Sequence, residues 1–260
     1  MLIDSHCHLD YLAREGDLDG VVARAREAGV KLMVTISTRV TEFDAVRAIA
    51  ERYDDVYCSV GVHPHEAATE PEMTPDHLVR LARHPKVVAI GETGLDFFYE
   101  HSPRAAQITA FRAHIAAARE SGLPLIVHSR EADAETADIL AAETGEGAFP
   151  GLIHCFTGGP GLARRALDLG LYISLSGILT FKKAEALRDI ARDLPADRIL
   201  IETDSPYLAP VPMRGKRNEP AYVGHTAAAL AALRATDADA IAATTAANFF
   251  RLFAKVARPR

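Results

Sequence analysis

The stretch DSHCHLD, residues 4–10, sits where the first β-strand of the chain is expected, yet every second position is ionisable: Asp4, His6, His8 and Asp10. Side chains alternate across a strand with period two, so His6 and His8 share one face while Cys7 takes the other. Packing gives no reason to put two imidazoles on a core face, because burying polar groups without partners is costly. Two imidazoles about 7 Å apart along a strand can both reach one ion from adjacent rungs. The strand that opens the chain therefore points at something other than a hydrocarbon core.

Outward from it, short apolar runs alternate with longer segments of helical period. The expected strands are 1–8, 31–38, 55–64, 87–96, 124–129, 151–156, 171–177 and 198–207. Thr41 with Asp44 forms a capping-box pattern, and Thr74–Pro75 and Ser102–Pro103 each set a hydroxyl before a proline at a helix start. Gly29, Gly122 and Gly170 stand where helices should stop, and Phe111, Ile115 and Ala118 recur on one helix face. Strands rich in Val, Ile and Leu separated by helices imply parallel strands buried on both faces. Eight such units in about 250 residues match a (β/α)8 barrel. An open doubly wound sheet is the alternative, but no GxGxxG follows the first strand.

The chain has 260 residues, 48% of them hydrophobic, enough for one sizeable core, and no Gly/Ser/Pro-rich linker divides it, so one domain over 1–260 is expected. A net charge of −6 gives no global footprint for wrapping duplex nucleic acid. Three cysteines without a CxxC pair read as reduced, buried small hydrophobes. No stretch has the basic and apolar pattern of a signal peptide or the length of a membrane span, so a cytoplasmic protein is expected.

Placed on the barrel, the ionisable residues fall at strand ends: His6 and His8 on strand one, His63 on strand three, Glu92 on strand four, His128 on strand five, His154 on strand six and Asp204 on strand eight. Barrel active sites lie at the carboxyl ends of the strands, so residues far apart in sequence would converge on one mouth. Four imidazoles (His6, His8, His128 and His154) and two carboxylates (Glu92 and Asp204) form a nitrogen/oxygen ligand set. It suits one or two divalent ions such as Zn, Mn, Co or Mg. No lysine lies in the middle or at the end of a strand, which leaves Glu92 as the bridging group. His77, His84, His101, His114 and His225 fall on helices or loops and are expected at the surface, with His65 at the rim.

These residues carry a family resemblance. DSHCHLD, GVHPHE, GETGLDFF, IVHSRE, HCFTG, ISLSGILTF and ETDSPYLAPVPMRGKRNEP, in this order from residue 4 to 220, with NFFRLF near the end, resemble the TatD-related metal-dependent deoxyribonucleases of the amidohydrolase superfamily. The resemblance implies a (β/α)8 barrel with divalent metal at His6, His8, Glu92, His128, His154 and Asp204. It also implies phosphodiester hydrolysis, typically 3′-to-5′ exonuclease action on DNA with Mg.

Two ions about 4 Å apart can generate hydroxide and polarise a phosphoryl oxygen. His6, His8, Glu92 and Asp204 would hold one, and Glu92, His128 and His154 the other, with Asp204 as general base. Asp4 and Glu202, two residues deeper, are expected to fix the tautomers of the ligand histidines. His63 is the leading substrate contact, and Arg214, Lys216 or Arg217 could add charge, while Lys182 and Lys183 face water. No aromatic–basic stripe runs along the sequence, which favours strand ends or short single strands over long duplexes. The same site could instead cleave a small amide, ester or lactone, and a non-enzymatic metal-binding scaffold is the third reading.

Overall fold

The computed structural model describes residues 1–70 and 73–258. Eight strands, β1 (Leu2–Cys7), β2 (Val30–Thr35), β3 (Val56–Val60), β4 (Val87–Asp96), β5 (Leu125–Arg130), β6 (Gly151–Ile153), β7 (Tyr172–Leu175) and β8 (Ile199–Ile201), pair in parallel in sequence order. A parallel bridge between Cys7 and Ser205 brings the last strand's extension against the first. The Asp204 amide donates to His6 O (2.9 Å) and the His8 amide to Ser205 O (2.7 Å). The sheet is thus a (β/α)8 barrel, with helices α1 (Leu9–Arg14), α2 (Leu18–Glu27), α3 (Phe43–Arg52), α4 (Pro75–Ala82), α5 (Arg104–Ser121), α6 (Asp133–Gly145), α7 (Pro160–Asp168), α8 (Glu185–Asp193), α9 (Val223–Leu233) and α10 (Ala238–Leu252) around it.

Strand alternation divides the apolar residues into two clusters. Met33, Val56, Leu125, Val127, Ile153, Ile173 and Ile199 pack outward with helix residues such as Val21, Val46, Phe111 and Leu140. Ile3, Leu32, Val88, Ile126, Leu152, Tyr172 and Leu200 form the other cluster with Phe249, Phe250 and Phe253, so the C-terminal helix plugs the barrel at the end away from the mouth. Two residues beyond five of these inward positions the side chains turn polar: Ile3 leads to Ser5, Ile126 to His128, Leu152 to His154, Tyr172 to Ser174 and Leu200 to Glu202, whereas Leu32 and Val88 lead to Val34 and Ile90. Period-two geometry therefore stacks a polar layer on an apolar one.

Several local expectations change. β8 ends at Ile201, so Asp204 stands beyond the strand, and His8 lies past β1 at the residue preceding α1, where its side chain makes no capping hydrogen bond. Thr41 donates its hydroxyl to Glu70 instead of capping α3, and the Ser102 hydroxyl bonds His65 O and the Ala68 amide instead of capping α5. Thr74 does cap α4, accepting from the His77 amide (3.2 Å), and Gly122 closes α5 at φ 69°. His114, expected at the surface, is fully buried on α5, because Nε2 accepts from the Val62 amide (2.9 Å) and Nδ1 faces Ala110 O (2.7 Å). His101 is exposed, and His77, His84 and His225 are half-buried.

Candidate metal centre

Glu92 is the hub of the mouth. Its backbone amide donates to Ser37 O (3.2 Å) and its side chain is buried. Oε2 lies 3.4 Å from His6 Nε2, while Oε1 lies 2.7 Å from His154 Nε2, 3.0 Å from His128 Nδ1 and 3.5 Å from His63 Nε2. The two oxygens thus divide the histidines into two groups. Asp204 Oδ1 adds to the first, 3.4 Å from His8 Nε2 and 3.6 Å from His6 Nε2. Asp204 sits at φ 56°, a left-handed conformation that ordinary residues adopt at a cost and that recurs at functional sites.

Among the described residues, three sets of donor atoms lie within 4.8 Å of one another: His6 with His8 and Glu92, His63 with Glu92 and His128, and His6 with His154 and Glu202. His6 Nδ1, His6 Nε2 and His8 Nδ1 are buried with no hydrogen-bond partner among the described residues. Leaving such groups unpaired costs roughly 1–3 kcal/mol each, and a bound cation with open sites for nitrogen would remove part of that cost. The imidazole and carboxylate donors fit a divalent ion.

Behind the donors stand further carboxylates. Glu202 Oε1 is 3.2 Å from His154 Nδ1 and accepts the Cys155 amide (2.7 Å), while Oε2 accepts the Ser174 hydroxyl. Asp96 Oδ2 lies 3.3 Å from His128 Nε2 and 2.8 Å from His65 Nε2. Carboxylates placed this way fix ring orientation and raise ligand basicity. Neither Asp96 nor its pairing with His65 is among the residues expected at the site from sequence. The available signal was Asp96's place four residues after Glu92, on the same strand parity. Asp4 differs from expectation: it accepts from the Thr203 amide (2.9 Å), the Thr203 hydroxyl (2.5 Å) and the His6 amide (3.3 Å), and reaches no imidazole. The β1–β2 register shifts between Asp4 and Cys7, which breaks the simple alternation that would have aimed Asp4 at a ring.

Electrostatics follow from this crowding. Burial works against ionised Glu92, yet the imidazoles around it, His154 foremost and His128 through a hydrogen bond, outweigh it and hold the carboxyl well below its usual range. Burial likewise opposes a charge on His154, but Glu92 and Glu202 push its imidazole well up. Burial lowers His63 far below the ordinary histidine range, so it is neutral. Its Nδ1 accepts the His65 amide (3.1 Å), which leaves the proton on Nε2, facing the cluster. Of the basic candidates, Arg217 pairs with Glu15, and Arg214 lies over the Phe181 ring at 4.0 Å with a bond to Ala209 O. Lys182 and Lys183 are exposed just before α8. Tyr11 stacks on His8 (centroids 5.1 Å apart) and meets the Thr38 hydroxyl at 3.0 Å.

The family model described as TatD related DNase matches residues 3–254. An uncharacterized metal-dependent hydrolase of Escherichia coli K12, YcfH, is 46% identical over 255 residues, covering 97% of this chain and 95% of the relative. A protein of Citrobacter koseri named 3′-5′ ssDNA/RNA exonuclease TatD is 40% identical over 243 residues, covering 91% of this chain and 93% of its own. The crystal structure of YjjV, a TatD homolog from Escherichia coli K12, superposes with TM-score 0.90 at 32% identity, over 97% of this chain and 98% of the other.

Proposed function

The chain belongs to the TatD-related DNase family of metal-dependent hydrolases, and from that premise we propose that it is a phosphodiesterase removing nucleotides from the 3′ end of DNA. The observation that carries this reading is the split of Glu92, one oxygen toward His6 and the other toward His128 and His154. That arrangement would let Glu92 hold divalent metal together with either group of histidines, and two-metal chemistry suits in-line displacement at phosphorus. His6, His8, Glu92 and Asp204 would hold one ion, and Glu92, His128 and His154 the other, with Mg, Mn or Zn as the metal. Bound there, divalent metal supplies Lewis-acid activation of water and of the phosphoryl group.

The chain's own residues supply the rest. Asp204 is the general base. Burial opposes its charge, but His8, His6 and His154 hold it ionised at neutral pH, ready to take a proton from the attacking water. Neutral His63 offers its Nε2 proton to a phosphate oxygen. Water adds across the P–O bond, so one nucleotide leaves and the strand shortens by one. Glu202 keeps the His154 ring turned so that Nε2 faces Glu92.

The test is metal-stripped protein on a 3′-labelled single-stranded DNA oligomer, with Mg, Mn or Zn restored in turn. Stepwise nucleotide release that needs metal and falls by roughly 10²-fold or more in Asp204→Asn is the expected result. Absence of release with every metal, alongside turnover of a small amide, ester or lactone, would replace the substrate.

A further inference from the structure

No run of the sequence interleaves aromatic and basic residues, but folding assembles such a cluster from separate strands. Phe98 and Tyr99 lie on the turn after β4, with ring centroids 4.7 Å apart. Arg130, at the end of β5, sets its guanidinium 4.2 Å from the Phe98 centroid and 4.7 Å from that of Tyr99. Phe98 is 50% exposed and Tyr99 49%. Apart from Met1, the exposed large apolar side chains among the described residues are these two with Tyr207 and Val211, all on the loops that follow β4 and β8. They contribute little to the core, and exposing them is unfavourable in the isolated protein.

The turn is also pinned. Asp96 Oδ1 accepts the Phe98 amide (3.0 Å) and the Tyr99 amide (2.9 Å), while the other oxygen of the same carboxylate faces His128 and His65. Tyr99 stacks on the exposed His101 ring (centroids 5.4 Å apart, planes within 6°), which a base would have to displace or extend, and stands edge-on to His65 (5.5 Å), as His65 does to His63 (4.4 Å). The rings are therefore held at a fixed place beside the metal centre. The nearby carboxylate of Glu100 is paired with Arg104, so it does not stand as an unopposed negative charge.

We propose that Phe98, Tyr99 and Arg130 form a stacking subsite for the unpaired bases of a single-stranded nucleic-acid end whose phosphate lies at the metal centre. Every base has a π face, so rings give affinity without sequence preference, and a guanidinium backing them adds attraction for both base and phosphate. In a blunt duplex only the outer face of the last base pair is free and the base cannot splay from its partner, so single strands, whose successive bases can unstack, are favoured. This rests on the phosphodiesterase reading, which by itself requires no contact with bases.

The test has two arms. In the first, a single-stranded DNA oligomer with 2-aminopurine at its last two positions is titrated with Asp204→Asn protein in Mg, with and without Phe98→Leu and Tyr99→Leu. Leucine keeps apolar bulk on an exposed turn but has no π face. Quenching that requires the two rings is expected, and equal quenching without them overturns the subsite. In the second arm, the wild-type rate on a base-bearing oligomer is divided by that on one with abasic terminal residues. The ratio should fall roughly 5- to 150-fold per base when the rings are lost. An unchanged ratio in protein that still cleaves overturns the subsite and leaves the phosphodiesterase standing. Absence of cleavage by wild type with any metal removes the phosphodiesterase, and the quenching arm still decides the subsite.

Discussion

Glu202 and Asp96 touch no expected substrate, yet each sits on the far nitrogen of an imidazole whose near nitrogen faces Glu92. Replacing either by its amide keeps the shape and removes the charge. Glu202→Gln and Asp96→Asn should each weaken Mn binding by about 10–100-fold, measured calorimetrically, and wild-type affinity would show that the ring is oriented by something else. His114 gives a second prediction. Burial lowers it to about 4, against about 6.5 in the unfolded chain. Below pH 6.5 the unfolded state takes up the proton first, so stability is whole above 6.5 and is lost as pH falls toward 4, by about 3 kcal/mol. Urea unfolding of wild type and His114→Gln across pH 7 to 4 should show a flatter slope in the variant. Glu202 was legible two residues before Asp204. His114 stands three residues after Phe111, on the same helix face as Ile115 and Ala118, so the apolar periodicity contained its burial and only its polarity concealed it.

At the scale of elements, the strand ends place the site, and glycines let neighbouring strands approach there. Gly94 on β4 has φ 139°, and a Cβ on it would lie 2.0 Å from His128 O. Gly94→Ala should therefore destabilise the fold by roughly 3 kcal/mol or more and displace His128, seen as a lowered denaturation midpoint together with weakened metal binding. A midpoint within experimental error of wild type would mean that β4 and β5 part there at little cost. All eight strands could be located in the sequence because apolar runs and turn residues bound them. Their ends could not: Glu202, Asp204, His63 and His154 lie beyond the last regular strand residue, and their amides bond Leu175 O, His6 O, Thr38 O and Val127 O across the fold, so tertiary contacts, not local preference, set the backbone there. The caps at Thr41 and Ser102 failed for a related reason, since Glu70 and His65 O claim those hydroxyls from across the fold.

For the whole molecule, the barrel carries an apolar layer plugged by Phe249 and Phe253 beneath a polar layer that holds unpartnered imidazole nitrogens. Phe249 is buried, so Phe249→Ala should cost about 3–5 kcal/mol in chemical denaturation while leaving metal stoichiometry unchanged in the folded fraction. Convergence of His6, His8, His128 and His154 was legible from strand order alone, because any parallel barrel gathers its strand ends. The aromatic cluster of Phe98, Tyr99 and Arg130 was not, because it joins the ends of two strands and no linear scan brings them together. Metal bound by the native state only should also stabilise it, by about 2.7 kcal/mol at a hundredfold excess over Kd. The most direct measurement is metal titration of stripped wild-type protein beside Glu92→Gln, counting equivalents and affinity. One or two equivalents in wild type, with at least one lost or weakened by roughly 100-fold in the variant, is the predicted result. Equal stoichiometry and affinity in both proteins would contradict a metal centre built on Glu92.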